Sequence, residues 1–324
     1  MLSIKQYQEE FSDFMQDYLA FKEPGNLYQP IEYILKLGGK RLRPTLALLS
    51  TDIFNGEYKN CLNAALAIEL FHNFSLMHDD IMDDAPLRRG EQTVHEKWDV
   101  NTGILSGDAM LILAYQLFEE YESTTFKELA KLFSKTALEV CEGQQYDIDF
   151  ETRDDVTLQE YLKMIEYKTA VLIASAMKIG AIVARASRSD QEKIYEFGKN
   201  LGIAFQLQDD YLDAFGDPQT FGKQVGGDII ENKKTFLYLR SMAYCDVDEL
   251  QQLEHLYSIY PEDVETKINT VKEIFESTGS AEATKMEIEI YTIKAFSVLS
   301  TLNISEDKKS LLKQFGEDLM NRNV

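Results

Sequence analysis

The sequence predicts an all-α protein built as one large helical domain. Apolar residues recur with a helical period along almost all of the 324 residues. Period-two alternation with β-branched enrichment, the mark of a strand, is scarce. Gly, Pro, Asn and Asp gather at a few joints, and no long linker, low-complexity tract or repeat divides the chain. At roughly 150 residues per domain the length allows one large domain or two, and either can bury a substantial core. Hydrophobic residues make up 44% and are spread throughout, which argues against disorder.

In chain order, helices are predicted near 4–22, 28–37, 42–54, 61–83, 104–121, 125–150 and 157–168, then near 170–186, 189–213, 228–243, 247–258, 262–278, 280–301 and 306–321. Glu23-Pro24-Gly25-Asn26 parts the first two, and the run from Asn55 to Asn60 follows the third. Gly216-Asp217-Pro218 follows the ninth, and Thr278-Gly279-Ser280 precedes the thirteenth. The domain expectation is a single unit over 1–324.

The formal net charge is -22, from 33 basic and 55 acidic residues. Such a chain does not attract nucleic acid or anionic membrane in general, so an anionic ligand must be met by local cations or metal ions. Three scattered cysteines without metal-site spacing suggest a reducing compartment. No secretory signal opens the chain and no apolar run reaches the ~20 residues of a membrane span, so a cytoplasmic protein is expected.

Two segments break local electrostatic rules in the same way. On the helix over 61–83, His72, Ser75, Asp79 and Asp83 are spaced 3, 4 and 4, one polar stripe ending in carboxylates one turn apart. On the helix over 189–213, Gly202, Gln206, Asp209 and Asp213 repeat the pattern, with small Gly202 leaving room beside the stripe. Like charges at i,i+4 destabilise a bare helix by a few tenths of a kcal/mol, and both pairs sit at the end where the helix dipole disfavours them. One such cluster in so acidic a chain reads as a solvated face. Two matching clusters, each ending an apolar helix, point to function, and the remedy is a cation such as Mg²⁺, which takes carboxylates, waters and phosphates in octahedral geometry. Neither is an EF-hand loop.

Cations stand beside turns. Gly38-Gly39-Lys40-Arg41-Leu42-Arg43-Pro44 leads into a helix, where backbone N–H groups with flanking Lys and Arg suit a phosphate. Arg88-Arg89-Gly90 follows the first acidic motif; Gly222-Lys223 and Lys233-Lys234 follow the second. This order suits diphosphates held by metal on one side and by Lys and Arg on the other. Gly107-Asp108 reads either as an N-terminal helix feature or as part of a site. A cation as apolar-flanked as Lys168 needs a partner, either a diphosphate or a carboxylate.

With these motifs in order, the sequence resembles the trans-isoprenyl diphosphate synthases, the farnesyl and geranylgeranyl diphosphate synthase family. The match runs through GGKRLRP (38–44), HDDIMDD (78–84), RRG (88–90), LSGDAML (105–111), YKT (167–169), FQLQDDYLD (205–213), FGKQVGGDI (221–229) and ENKKT (231–235). The last ninety or so residues carry no recognisable motif. The resemblance implies the isoprenoid synthase fold, a helical bundle around a deep central cavity, usually in a homodimer. It implies that Asp79 and Asp83 bind two Mg²⁺ and Asp209 a third, with Asp80, Asp210 and Asp213 supporting. The allylic diphosphate would be held by the ions with Arg88, Lys168, Lys223 and Lys233, and isopentenyl diphosphate by Gly39, Lys40, Arg43, His72 and Arg89.

The implied reaction ionises the allylic C–O bond as cations take up the diphosphate's charge. Thr169 and Gln206 present oxygen dipoles to the carbocation, and Lys168 belongs with them in the catalytic set. The isopentenyl double bond attacks, a proton leaves to diphosphate, and water must be kept out. Product length in the family depends on the residue five before the first Asp, here Phe74, with Ser75 next to it. Five residues are about 7.5 Å of helix, so Phe74 lies well below the metals. One bulky and one small residue suggest a product of 15 or 20 carbons. The chain lacks a strongly basic C-terminal tail that could cap the site.

Two other readings compete with this one. A terpene cyclase would carry an N-D-x-x-S-x-x-x-E motif in place of DDYLD and would not need GGKRLRP. A non-catalytic subunit would have lost one acidic motif, and both are intact.

Overall fold

The structure, a computed structural model, describes residues 1–18, 22–217 and 225–321. Among them helices dominate, and the one sheet is a hairpin of two-residue strands. The chain begins with α1 (Ile4–Tyr18), α2 (Gly25–Lys36) and α3 (Leu42–Ile53), then a 3₁₀ turn at Tyr58–Cys61. Next come α4 (Leu62–Met82), the strands β1 (Leu87–Arg88) and β2 (Glu91–Gln92), and α5 (Val94–Lys97). The long helices α6 (Val100–Phe118) and α7 (Ser123–Thr152) follow, then α8 (Leu158–Ile165), a π-helical turn at Glu166–Ala170, α9 (Val171–Val183) and α10 (Arg188–Phe215). After α11 (Gly227–Ile230) come α12 (Phe236–Tyr244), α13 (Val247–Leu256), α14 (Val264–Ser277), α15 (Ser280–Ser300) and α16 (Glu306–Met320).

The helices fall into two compact units. One comprises Met1–Ala137 with Ser175–Glu192, the other Leu138–Ala174 with Lys193–Val324. Residues of α7, α9 and α10 belong to both.

In the first unit, α4 is buried along most of its length, from Ala64 through Phe71, and lies against α3 and α6. A Cβ on Gly107 of α6 would meet the His78 ring at 2.3 Å. Gly107 is therefore a close-packing residue that lets α6 approach α4, and it stands inside α6, not at its N-terminus. His78 Nε2 lies 3.2 Å from the Ile104 carbonyl of the same helix. In the second unit, Tyr161, Phe236, Leu237, Leu253, Val271 and Phe275 form a buried core. Thr157 with Glu160 and Asp246 with Glu249 make capping boxes that start α8 and α13.

Three local features differ from the sequence reading. The helix expected near 228–243 is two helices, because Asn232 adopts φ 59° and the Lys233 amide closes back on the Asp228 carbonyl at 2.9 Å. Asparagine is one of the few residues that take this left-handed conformation readily at a helix end. The hairpin after α4 turns through Arg89 (φ 56°) and Gly90 (φ 80°), the two-residue loop whose twist matches its strands. The helices expected over 157–168 and 170–186 are joined by the π turn, not by a break.

Candidate active site

The first unit carries one half of the predicted residue set. At the end of α4 the Asp83 amide bonds the Asp79 carbonyl at 2.9 Å, so the two carboxylates stand one helical turn apart. Asp83 is exposed, while Asp80, between them in sequence, is only 2% exposed. Arg88 claims Asp80: its Nε donates to both carboxylate oxygens at 2.8 Å, and Nη2 lies 2.6 Å from Oδ1 but 3.9 Å from Asp79 Oδ2. The expected diphosphate cation Arg88 is thus anchored by a carboxylate, and of the DDIMD aspartates Asp80 faces protein.

The glycine-started stretch before α3 divides similarly. Arg41, its N-cap at φ 46°, is buried and pairs with Glu69 and the Leu35 carbonyl, so it serves the fold. Lys40 is exposed. Arg43 Nη1 lies 3.1 Å from His72 Nε2. Arg89 Nη1 donates to the Gly38 carbonyl, and a Cβ on Gly39 would meet that guanidinium at 3.0 Å. Gly39 therefore meets Arg89, Arg43 meets His72, and Arg89 lies within electrostatic reach of that ring. Burial first, then Arg43, Arg89, Arg88 and Arg41, hold the His72 imidazole well below its ordinary pKa. So many cations around a neutral imidazole make a place that favours an anion.

One turn and a half below Asp79, the Phe74 ring packs edge-on to His78 with centroids 4.7 Å apart. It also meets Phe71 at 5.5 Å, and Phe71 in turn meets Phe133 at 5.2 Å. Neighbouring Ser75 spends its hydroxyl on the His72 carbonyl at 2.8 Å.

In the second unit Lys168, Thr169, Gln206 and Lys233 line a solvent-open cleft of about 660 Å³ together with Asp147 and Asp210. The π turn presents Lys168 and Thr169 side by side, and such turns inside helices recur at functional sites. Two glycines make the turn fit. A Cβ on Gly143 of α7 would lie 2.3 Å from the Lys168 amide nitrogen, and one on Gly202 of α10 would lie 2.8 Å from Ala170 Cα. The space that Gly202 leaves beside its stripe is thus filled by the backbone of the turn. Lys168 meets a carboxylate, Asp147, at 2.6 Å.

A relay of polar groups runs from Thr169. Its hydroxyl donates to Gln206 Oε1 at 2.9 Å, Gln206 Nε2 donates to Asp210 Oδ1 at 2.9 Å, and Asp210 also accepts from Tyr161. Burial, with Asp209 and Asp213 nearby, pushes Asp210 up to about 7 even though Tyr161 and Gln206 bond its charged form. Asp213 accepts from the Asp228 amide at 3.0 Å. Burial and the neighbouring Asp210 and Asp213 also raise the Asp228 carboxyl well above the usual range. Lys233 pairs with Glu231 at 3.0 Å; burial works against its charge, but Glu231, Asp147 and Asp228 hold the ammonium on. Lys223 lies outside the described residues.

This donor set fits a divalent cation. Asp209, Asp210, Asp213 and Asp228 bring hard oxygen donors near one another, Asp210 buried and the others half-buried, and their mutual repulsion is what such an ion relieves. Asp147, Tyr161 and Asp228 were missed from the sequence. Asp228 follows the glycine pair Gly226-Gly227 inside a quoted motif, and Asp147 stands one turn after Gly143 but among Gln144, Gln145 and Asp149, so it is not singled out; Tyr161 gives no signal by itself.

A profile of the polyprenyl synthetase family matches residues 24–276. The short chain isoprenyl diphosphate synthase of Methanothermobacter thermautotrophicus is 38% identical over 280 residues, covering 86% of this chain and 85% of that one. The geranylgeranyl diphosphate synthase of Methanosarcina mazei is 40% identical over 240 residues, 74% of each chain. A crystal structure of a geranylgeranyl pyrophosphate synthase, 52% identical, superposes with a TM-score of 0.96 over 99% of both chains.

Proposed function

Because the chain belongs to the polyprenyl synthetase family, we propose that it condenses isopentenyl diphosphate with an allylic diphosphate by trans-prenyl transfer, giving a short-chain product. It is a prenyltransferase, its substrates are isoprenoid diphosphates, and the family uses a divalent metal. The observation that carries the reading is the mutual repulsion among Asp209, Asp210, Asp213 and Asp228, which a bound cation relieves. Arg43, Arg88 and Arg89 all bear on the His72 imidazole, a setting that favours an anion. Metal ions and diphosphates supply those two charges.

In this reading Asp79, Asp83 and Asp209 hold Mg²⁺, three ions in all, with the remaining carboxylates supporting. The bound ions supply positive charge for the departing diphosphate. Arg88, Lys168, Lys223 and Lys233 bind the allylic diphosphate, and Gly39, Lys40, Arg43, His72 and Arg89 bind isopentenyl diphosphate. The Thr169 proton is committed to Gln206, so the hydroxyl turns lone pairs, not its proton, toward a carbocation. The allylic C–O bond breaks with its electron pair leaving on diphosphate. The isopentenyl double bond forms the new C–C bond, and a proton is lost to the released diphosphate.

A product of 20 carbons is favoured over 15 by the likeness to geranylgeranyl synthases, with Phe74 as the floor. We further infer a homodimer working in the cytoplasm as one polyprenyl synthetase domain. The family profile spans residues of both compact units. Ile104, Leu105 and Ile112 of α6 are 41%, 61% and 58% exposed, a patch suited to a second copy. Three free cysteines suit a reducing compartment, and no helix among the described residues is long and apolar enough to cross a membrane.

The deciding experiment supplies Mg²⁺, isopentenyl diphosphate and in turn dimethylallyl, geranyl and farnesyl diphosphate, and measures product length. An all-trans product of 15 or 20 carbons is expected; no condensation with any starter would overturn the reading. Light scattering of Leu105→Lys with Ile112→Lys, against the unaltered chain, tests the dimer.

A further inference from the structure

Just past the acidic end of α4, next to Asp83 in the chain, lies a second group of potential metal ligands, none of them among the metal ligands assigned above. Asp84, His95 and Glu96 each offer one ligand atom, and the three atoms lie within 4.8 Å of one another. His95 is the telling member. Its side chain is 4% exposed, and both ring nitrogens are buried with no hydrogen-bond partner. A neutral imidazole carries one N–H and one lone pair, and buried groups of either kind are almost always satisfied. Here Nε2 looks toward Glu96 Oε1 at 3.9 Å, too far for a hydrogen bond but suited to two ligands with an ion between them.

Asp84 adds a conformational argument. The Asp84 amide bonds the Ile81 carbonyl at 3.4 Å and the Ala85 amide bonds the Asp80 carbonyl at 3.0 Å, the paired closure of a helix whose left-handed residue is most often glycine. Asp84 holds that place at φ 50°. Aspartate is one of the few residues with a side chain that take this conformation, which sets the Asp84 carboxylate at the start of the excursion after α4.

We propose that Asp84, His95 and Glu96 bind a zinc-class divalent cation, a site separate from the all-carboxylate positions assigned to Mg²⁺. One imidazole and two carboxylates leave a fourth tetrahedral position for water, the ligand number of an open zinc site. Imidazole nitrogen is what discriminates the two ions: it suits zinc, while magnesium prefers oxygen throughout. The ion would clip residue 84 to residues 95 and 96, closing the excursion that carries the β1–β2 hairpin with Arg88 and Arg89. Its effect is on the setting of those arginines, not on bond making.

The test uses the full chain, stripped of metal by chelation and then held in excess Mg²⁺ so that the all-oxygen positions are filled. The chain has only four histidines, so their ring nitrogens are separable by ¹H–¹⁵N correlation. Adding Zn²⁺ is expected to shift one imidazole, assigned as His95 by its absence in His95→Gln, at about one equivalent. Asp84→Asn and Glu96→Gln, both at exposed positions, keep the fold if His95→Gln does not, and each should weaken Zn²⁺ at least about tenfold. Zn²⁺ binding that shifts no imidazole, a shift of a histidine other than His95, or an affinity unchanged in both carboxylate variants would each overturn the site.

Discussion

The Thr169 hydroxyl gives its proton to Gln206 Oε1 at 2.9 Å, and Gln206 is itself held by Asp210 at 2.9 Å, so the direction of the threonine's lone pairs is set two residues away. Thr169→Val keeps the shape and removes the lone pairs. Loss of a single preorganised dipole at a developing charge costs on the order of 10²-fold in kcat. The expected result is that drop in kcat with KM for both diphosphates changed only a few-fold. Gln206→Leu should lower kcat in the same way while leaving Thr169 in place. An unaltered kcat in Thr169→Val would remove the hydroxyl from the reaction.

Phe74 stands edge-on to His78 at 4.7 Å and against Phe71, with Phe133 behind. Removing the ring at a half-buried position opens space without removing the deeper aromatics. Phe74→Ala is expected to lengthen the product by at least one five-carbon unit, seen by chromatography of the dephosphorylated alcohols. An unchanged product distribution would place the floor elsewhere.

Adjacent aspartates in the first motif should fail differently. Asp79→Ala relieves the i,i+4 repulsion with Asp83 and breaks the long 3.9 Å contact to Arg88, so the helical circular dichroism should persist while condensation nearly vanishes. Asp80→Asn strips the charge from the partner that Arg88 grips at 2.6–2.8 Å, a mostly buried pair whose breaking costs roughly 3–5 kcal/mol. A falling midpoint in urea for Asp80→Asn, and none for Asp79→Ala, is the expected pattern. Equal turnover by Asp79→Ala would break the metal argument.

The sequence carries the helical class and nearly all helix positions because those depend on a local period that each segment states for itself. That His72, Asp79 and Asp83 share one helix face, and Gln206 and Asp209 another, is legible for the same reason: a stripe on one helix is written in one stretch of chain. What was not legible depends on partners far along the chain. That Arg41 serves Glu69 while Arg43 faces His72 is decided by where α4 lies, although both arginines stand in one seven-residue motif. Lys168 could have met phosphate or carboxylate, and only the fold brings Asp147, 21 residues earlier, to 2.6 Å. The π turn is equally silent, since its cause includes two glycines, Gly143 and Gly202, on other helices.

Those glycines make a prediction of their own. A methyl group on Gly143 would stand 2.3 Å from the Lys168 amide nitrogen and 2.7 Å from the Tyr167 carbonyl carbon, backbone atoms that cannot swing aside. Gly143→Ala should push the turn off its seat, at a cost of about 1–3 kcal/mol for an overpacked contact. Because the turn carries both Lys168 and Thr169, kcat should fall further than the loss of either side chain alone. A fully active, fully stable Gly143→Ala would mean the turn yields without consequence.

His72 links the anion-favouring pocket to pH. Burial and the surrounding arginines hold its folded pKa well below 6.5, whereas the unfolded chain titrates near the ordinary value of about 6.5. Above pH ~6.5 neither state holds the proton, and His72 contributes nothing to the pH dependence. As pH falls below that value the unfolded state takes up a proton that the folded state refuses, so stability is lost with a slope approaching about 1.4 kcal/mol per pH unit until the folded pKa is reached. His72→Asn removes this term while keeping a polar neighbour for Arg43. Urea unfolding between pH 7.5 and 5.5 should therefore show a shallower acid loss in His72→Asn than in the unaltered chain, since the carboxylate contributions are common to both. Parallel loss would mean that the imidazole is protonated in the fold, and the arginine-lined pocket would then not favour an anion in the way its geometry implies.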